Sequence, residues 1–472
     1  MSFPGQIHHP HPPNAGVPPN AHLIARSSPD DPTRPYLPPG LELVQAHWFV
    51  RHGERAPVRQ RLAGVADIPP VFALCAVGRE FRTAVLSLGN GTFPGGPPPH
   101  ATQGAGKETM MDVRRLTEDV GDSARGYAGG LADCYWGELT DLGRRSTLSL
   151  GTALRALYVP LGFLPPTLSS DTAEQVSFRS TNMPRTIESL HQVVEGLWPA
   201  SHRESGFKVD FRLRGWQDED LYPNTSCRRL RQLDLASIAN AAKTYNPSLA
   251  ALDPVLAPIL DGPLRIDSAP RASGVLDTVF VCKAHGIKVP PELEDLKTLR
   301  TLEDAIVHEW FDGYSNPEYR RLAMGRLLGS LHATLDAKLR DPHEKREKTR
   351  LHVYSCHDTS VAGILNALDA FDKRWPPFTS HLAVELLRAP AAPSALSRLL
   401  PGAAVAPAPP AQHYVRLRYN ARPLVLPACA PAGKHLPGSE GEVCTWEAFT
   451  DAVRAVECTQ AEWRGWCGSR NE

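Results

Sequence analysis

The chain has 472 residues, and Lys+Arg and Asp+Glu both number 51, leaving no net charge at neutral pH. That balance argues against nucleic acid or an anionic membrane as a partner, so any basic site must be local. The length exceeds one minimal domain, the composition is that of a soluble, enzyme-like globule, and no apolar run approaches the roughly 20 residues that span a bilayer.

Met1 to Gly40 is rich in Pro and His and poor in aliphatics, which predicts a disordered tail. Within it His8, His9 and His11 lack partners at a folded spacing and read as solvated rather than metal-binding. The segment has no charged head and apolar centre of a secretory leader, and Arg26 alone does not make a transit peptide. The nine cysteines contain no Cys-x-x-Cys pair, so neither a zinc module nor a redox motif is indicated. Cys429, Cys444, Cys458 and Cys467 crowd the C-terminus, where one or two bridges could form in an oxidising compartment. Cys75, Cys134, Cys282 and Cys356 are expected to pack as small apolar residues.

Leu41 to Val50 is a β-forming run that ends abruptly in Arg51-His52-Gly53-Glu54-Arg55-Ala56-Pro57, as expected of a central parallel strand delivering a loop at its carboxyl edge. His47 inside that run reads as a core histidine. Gly89 to Gly106 is too rich in Gly and Pro for regular structure, and Gly104-Ala105-Gly106-Lys107 fails as a phosphate-binding loop because Ala101 and Glu108 stand at required positions. A helix should start at Thr140, its cap, and run through Leu142, Leu148, Leu150, Leu154 and Leu157. Gln175 to Ser180 reads as a second strand, followed by a helix whose first turn holds Pro184 and Arg185, where free amides favour an anion. Phe207 to Leu213 alternates like an edge strand, and Asp218, Glu219 and Asp220 read as a solvated turn. The Pro-interrupted stretch from Gly215 to about Pro317 is taken as an inserted helical region. A long helix, about Glu318 to Leu339, returns the chain to the core, and Arg350 to Ser355 is a third strand ending in Cys356-His357-Asp358-Thr359. A helix through Val361 and Leu368 follows. Leu382 to Leu387 is a fourth strand, Ala389 to Pro410 an Ala/Pro-rich loop, and Tyr414 to Leu426 a hairpin. The expected fold is α/β, a mostly parallel sheet flanked by helices, with core segments 41–75, 136–214 and 318–472 and insertions 76–135 and 215–317 forming a cap.

Three strand ends therefore present Arg51, His52 and Arg55; Arg185; and His357 with Asp358. Arginines surround a phosphate with forked, charge-assisted hydrogen bonds. Metal-free hydrolysis of a phosphomonoester needs an in-line nucleophile, charge for the equatorial oxygens and a proton donor for the alcohol. His52 suits the first role, His357 with the arginines the second, and Asp358 the third. No metal or cofactor is required. A neutral His52 and a protonated Asp358 coexist only at mildly acidic pH, which predicts an acid optimum.

The stretch Arg51 to Pro57 and the group Ser355-Cys356-His357-Asp358 resemble the signatures of the histidine acid phosphatases. The resemblance spans roughly Leu41 to Val456, and it implies the histidine phosphatase fold and the same roles for Arg51, His52, Arg55, Arg185, His357 and Asp358. Phe178 to Ser189, Leu221-Tyr222-Pro223-Asn224 and Lys373 to Phe378 are similar to the branch acting on lysophosphatidic acid. This implies a lysophospholipid substrate and a cytoplasmic or mitochondrial setting; the chain is expected to be a monomer. Glu54 departs from the family, where many members have Ala. A phytase would need a basic pocket, for which only Lys283 and Lys288 offer themselves; sugar phosphates are a further alternative within the family. The phosphoglycerate mutase branch shares Arg-His-Gly, but Arg55, Pro57 and the late His357-Asp358 pair favour the phosphatases. A catalytically silent phosphate-binding protein would have lost His52 or Asp358, and both are present.

Overall fold

The computed structural model describes residues 36–78, 134–260, 262–341, 345–389 and 412–468. The expectations for the N-terminal tail before residue 36, for Gly104 to Lys107 and for most of the loop from Ala389 to Pro410 lie outside the described residues.

Strand β1 (Glu42–Arg51) carries the first motif at its end. Helix α1 (Asp141–Tyr158) is capped by Thr140, whose hydroxyl accepts from the Gly143 amide at 3.2 Å. Strand β2 (Val176–Ser180) leads into α2 (Pro184–Leu197), with Pro184 in the first turn where its missing N–H costs nothing. The expected edge strand shrinks to β3 (Phe211–Arg212). Helices α3 (Arg228–Ala250), α4 (Asp253–Leu260), α5 (Ala272–Ala284) and α6 (Leu296–Phe311) occupy the stretch expected as a helical insertion. Helix α7 (Pro317–Leu339), capped by Asn316, returns to β4 (Leu351–Cys356), which runs directly into α8 (Asp358–Ala367). Strands β5 (His381–Ala389), β6 (Gln412–Tyr419), β7 (Arg422–Pro423) and β8 (Val443–Thr445) precede α9 (Trp446–Arg454) and α10 (Gln460–Cys467).

The eight strands lie in the order β3, β2, β4, β1, β5, β6, β7, with β8 also on β6. From β3 to β1 all neighbours are parallel, whereas β5 is antiparallel to β1 and β6 to β5. Alternate residues of β1 serve opposite faces, as the strand period requires. Phe49 belongs to one core cluster with Leu327, Leu328 and Val361 of α7 and α8, while Trp48 and Val50 belong to another with Leu150, Leu154 and Leu190 of α1 and α2. Burying each such side chain contributes about 1.5–3 kcal/mol. The insertion has a separate core, in which Val275, Val279, Leu302 and Ile306 pack against Ile68, Phe72 and Cys75.

Two expectations need correction. Cys75 and Cys134 are bridged to each other, and Cys467 pairs with Cys227 rather than within the C-terminal cluster; Cys429–Cys444 does form there. Sequence spacing could not reveal pairs whose partners lie 59 and 240 residues apart. Cys282, Cys356 and Cys458 are free and buried. The acidic turn is also not solvated throughout: Glu219 and Asp220 are 2% and 3% exposed and both accept from Arg179 of β2. Asp218 alone remains exposed, and buried acids so paired tie the start of the insertion to the sheet.

His47, His352 and His381 are buried, and burial is the main cause that lowers each imidazole, to about 3 for His352 and about 4 for His381. These groups are neutral in the fold and protonated in the unfolded chain below about pH 6.5. Their contribution is complete above that pH and is lost as pH falls, at up to about 1.4 kcal/mol per unit for each. The unfolding free energy in urea is expected to drop by roughly 3 kcal/mol or more between pH 6.5 and 4.5. A flat profile over that range would show that these rings are solvated.

Candidate active site

The parallel register brings the three motifs to one level. Arg51 lies opposite Cys356, and Ser180 opposite Ser355. The ladders continue one step past the strand ends, with the His52 amide donating to the Cys356 carbonyl at 3.0 Å and the Thr181 amide to the Ser355 carbonyl at 3.2 Å. His52 and His357 thereby become neighbours, ring centroids 5.7 Å apart and nearly perpendicular. Arg185, second residue of α2, and Asp358, first residue of α8, stand at helix N-termini whose free amides face the same carboxyl edge of the sheet.

The loop after β1 holds its shape through close backbone contact. A Cβ on Gly53 would lie 2.4 Å from the Gly143 carbonyl oxygen, and one on Gly143 would lie 2.2 Å from that of Glu54. The Gly53 amide donates to Ser189 Oγ at 3.1 Å, and the Glu54 carbonyl accepts from the Thr140 amide at 2.9 Å. Glu54 is itself buried, which raises its carboxyl against the opposing Ser146 hydrogen bond.

Within this frame Arg51 and Arg55 are matched by carboxylates, whereas the buried Nε of Arg185 has no hydrogen-bond partner. Arg51 pairs with Asp358 at 2.7 Å, donates to the Pro376 carbonyl, and lies over the Phe378 ring at 4.2 Å. Arg55 forms a fork with Asp277 of α5, at 2.7 and 3.3 Å. His52 is 2% exposed, and its Nδ1 lies 2.8 Å from the Gly53 carbonyl oxygen. A carbonyl can only accept, so Nδ1 carries the hydrogen and the lone pair of the neutral ring sits on Nε2. His357 contacts the Thr181 hydroxyl through Nε2 at 3.0 Å, and Tyr222 stands edge-on to its ring.

Burial, then the charges of Arg185, Arg51 and Arg55, hold His52 well below the usual histidine range. The same order of causes, burial then Arg185, lowers His357 to about 3. Burial would raise the Asp358 carboxyl, but Arg51 and Arg55, joined by His357, outweigh it and keep the group below its ordinary value. Burial and then Arg55 lower Arg185 to about 10, still a cation throughout the acid range. The free site therefore holds two neutral imidazoles, three guanidiniums and an ionised Asp358. The sequence argument required a protonated Asp358, so that proton must arrive with the substrate.

All six sequence-derived residues meet at this edge. Sequence reasoning did not single out Asp277, Thr181, Ser189 or Phe378 as parts of the site. Thr181 had a positional signal, since it follows β2 at the level of the other strand ends; Asp277 had none. Lys283 and Lys288 are exposed. A cleft of about 570 Å³ at the opposite, amino end of β2, lined by residues such as Phe178, Val209, Arg212 and Lys348, contains none of the six.

Known proteins resemble the chain over most of its length. A probable acid phosphatase of Schizosaccharomyces pombe is 34% identical over 455 residues, covering 89% of this chain and 93% of the relative. A lysophosphatidic acid phosphatase type 6 of Mus musculus is 28% identical over 352 residues, 73% of this chain and 75% of its own. Among solved structures, the multiple inositol polyphosphate phosphatase of Bifidobacterium longum superposes with a TM-score of 0.55 at 13% identity, covering 94% of this chain and 97% of that one, and so shares the fold. The family model for the histidine phosphatase superfamily, branch 2, matches residues 42–258 and 286–420, and with the motifs converged as described the chain belongs to that family.

Proposed function

We propose that the protein hydrolyses phosphate monoesters without metal, through a phosphohistidine on His52. The observation that carries this reading is the His52 ring, buried and neutral, its Nδ1–H tied to the Gly53 carbonyl and its Nε2 lone pair set in a cluster of guanidiniums. Arg51, Arg55 and Arg185 bind the phosphate, with His357 as a neutral hydrogen-bonding partner for an equatorial oxygen. Nε2 attacks phosphorus as the ester P–O bond breaks, and the Gly53 carbonyl supports the cationic ring that results. Asp358 gives its proton to the departing alkoxide. Water then attacks the phosphohistidine, Asp358 takes a proton from it, and inorganic phosphate leaves with His52 restored.

Asp358 gains its proton on binding. An incoming phosphate takes over Arg51 and adds negative charge beside the carboxyl, and both changes raise its proton affinity. Acid pH favours this uptake and also the substrate monoanion, since the second phosphate ionisation lies near 6. Activity should therefore fall as pH rises, with Asp358 and the substrate rather than His52 setting the limit.

Lysophosphatidic acid is the proposed substrate. Relatives bearing that name support it, and so does an apolar lip beside the phosphate site. Val58, Tyr135 and Trp136 are 40%, 52% and 38% exposed, and Val58 and Arg185 both lie within 3.6 Å of where a Gly137 side chain would begin. A phosphate among the arginines could thus carry an acyl chain onto this lip. The insertion 215–317 serves as the cap, contributing Asp277 and Tyr222 to the site. The three disulfides among the described residues favour an oxidising compartment over a reducing one.

A panel of lysophosphatidic acid, inositol hexakisphosphate, sugar phosphates and p-nitrophenyl phosphate, assayed with and without chelator, tests the reading. Chelator-resistant turnover with the highest kcat/KM on lysophosphatidic acid is expected. Complete dependence on a divalent metal would sink the phosphohistidine mechanism, and preference for the inositol ester would overturn the lipid assignment.

A further inference from the structure

Helix α5 lies in the insertion, yet one of its faces reaches the phosphate site. Asp277 receives two hydrogen bonds from Arg55, one on each oxygen, an arrangement a carboxylate satisfies fully. Gly274 is one helical turn earlier on that face. A Cβ there would lie 2.2 Å from Arg61 Nε, so Arg61 rests on the helix only because residue 274 has no side chain. Asp277 is also the acidic group that acts on Arg61, and its charge reaches Arg51 and Arg185. Arg51 and Arg55 are thus each matched by a different carboxylate. Asp358 pairs with Arg51 and takes part in the proton transfers, whereas Asp277 stands outside the reaction between Arg55 and Arg61.

We propose that Asp277 determines specificity by phosphate number: its charge, set between Arg55 and Arg61, admits esters with one phosphate and disfavours those with further phosphates beside the scissile one. The inference rests on the phosphatase reading and deepens it. A bound phosphate brings about −1.5 to −2 charges, which the Arg51, Arg55 and Arg185 cluster can balance. A second phosphate on the adjoining carbon would approach the Asp277 carboxylate across a partly dry site, where one like-charge contact lowers affinity by about tenfold or more. Without that charge, Arg55 and Arg61 become unmatched cations, which is what a polyanion needs.

Full-length wild type and Asp277→Asn are compared by kcat/KM on p-nitrophenyl phosphate and on inositol hexakisphosphate. The ratio of the second to the first should rise about tenfold or more in the variant, shrink with added salt, and return toward wild type in Asp277→Glu. An unchanged or lowered ratio overturns the proposal, because a residue that only orients Arg55 would depress both substrates alike. Should the Asn variant be recovered unfolded, inhibition of the wild type decides. Tripolyphosphate binding no tighter than inorganic phosphate supports the proposal, and binding about tenfold tighter overturns it. A wild type inert on p-nitrophenyl phosphate would instead remove the phosphatase reading and this inference with it.

Discussion

Replacing His52 by Ala is expected to lower phosphomonoesterase activity by about ten-thousandfold or more on every ester, because no other group can supply the attacking lone pair. The alternatives within reach are poor nucleophiles for reasons visible in the site. His357 is committed to Thr181 through Nε2, and Asp358 is paired with Arg51. The variant should still fold, since the ring leaves the ladder bond from its own amide to Cys356 intact. Circular dichroism and phosphate binding check this. Retained phosphate affinity with lost turnover separates the nucleophile from the arginine clamp, whereas turnover within tenfold of wild type would exclude His52 from that role.

Asp358→Asn should act selectively. General-acid assistance is worth about 10²–10⁴ when the departing oxygen is basic, so hydrolysis of an alkyl phosphate such as lysophosphatidic acid should fall by that amount. The p-nitrophenolate leaves without a proton, so its first-turnover burst should slow by no more than about tenfold, although the later attack of water is slowed for both esters. Substitution also removes the partner of Arg51, which should strengthen inorganic phosphate binding by taking away a competing anion. Equal losses in the first turnover of both esters would count against Asp358 as the donor and leave it only the part of an Arg51 counter-ion.

The features that could be read from the sequence are those with local causes. The β-forming run before Arg51 and the cap at Thr140 each act within a few residues, and the structure has β1 and α1 there. The six site residues were legible for a related reason: each lies at or within about five residues of the carboxyl end of a strand, and parallel strands bring those ends together. What was missed depends on contacts distant along the chain. Glu219 and Asp220 look like a solvated turn until Arg179 is laid across them. Cys75 looks like a small apolar residue until Cys134 is found beside it. Asp277 lies on an unremarkable helix, and only the folded insertion brings it to Arg55. The hairpin of β6 and β7 was legible, but the antiparallel placement of β5 beside β1 was hidden, since an apolar strand reads the same in either direction.

The protonation states changed most between sequence and structure. From residue types alone, a neutral His52 and a protonated Asp358 are simply demanded. In the folded site burial is the larger cause for His52, and Asp358 is held ionised by Arg51. Acid dependence therefore belongs to the substrate complex, while the buried histidines make the fold itself less stable in acid.

The most direct test of the mechanism is to quench turnover of a radiolabelled phosphomonoester into base and locate the label on the protein. Phosphate is expected on Nε2 of His52, stable to base and labile to acid, and absent from the His52→Ala protein. Label on Nδ1 of that ring or on another side chain, or unlabelled protein at every quench time during steady turnover, would contradict a phosphohistidine intermediate at His52.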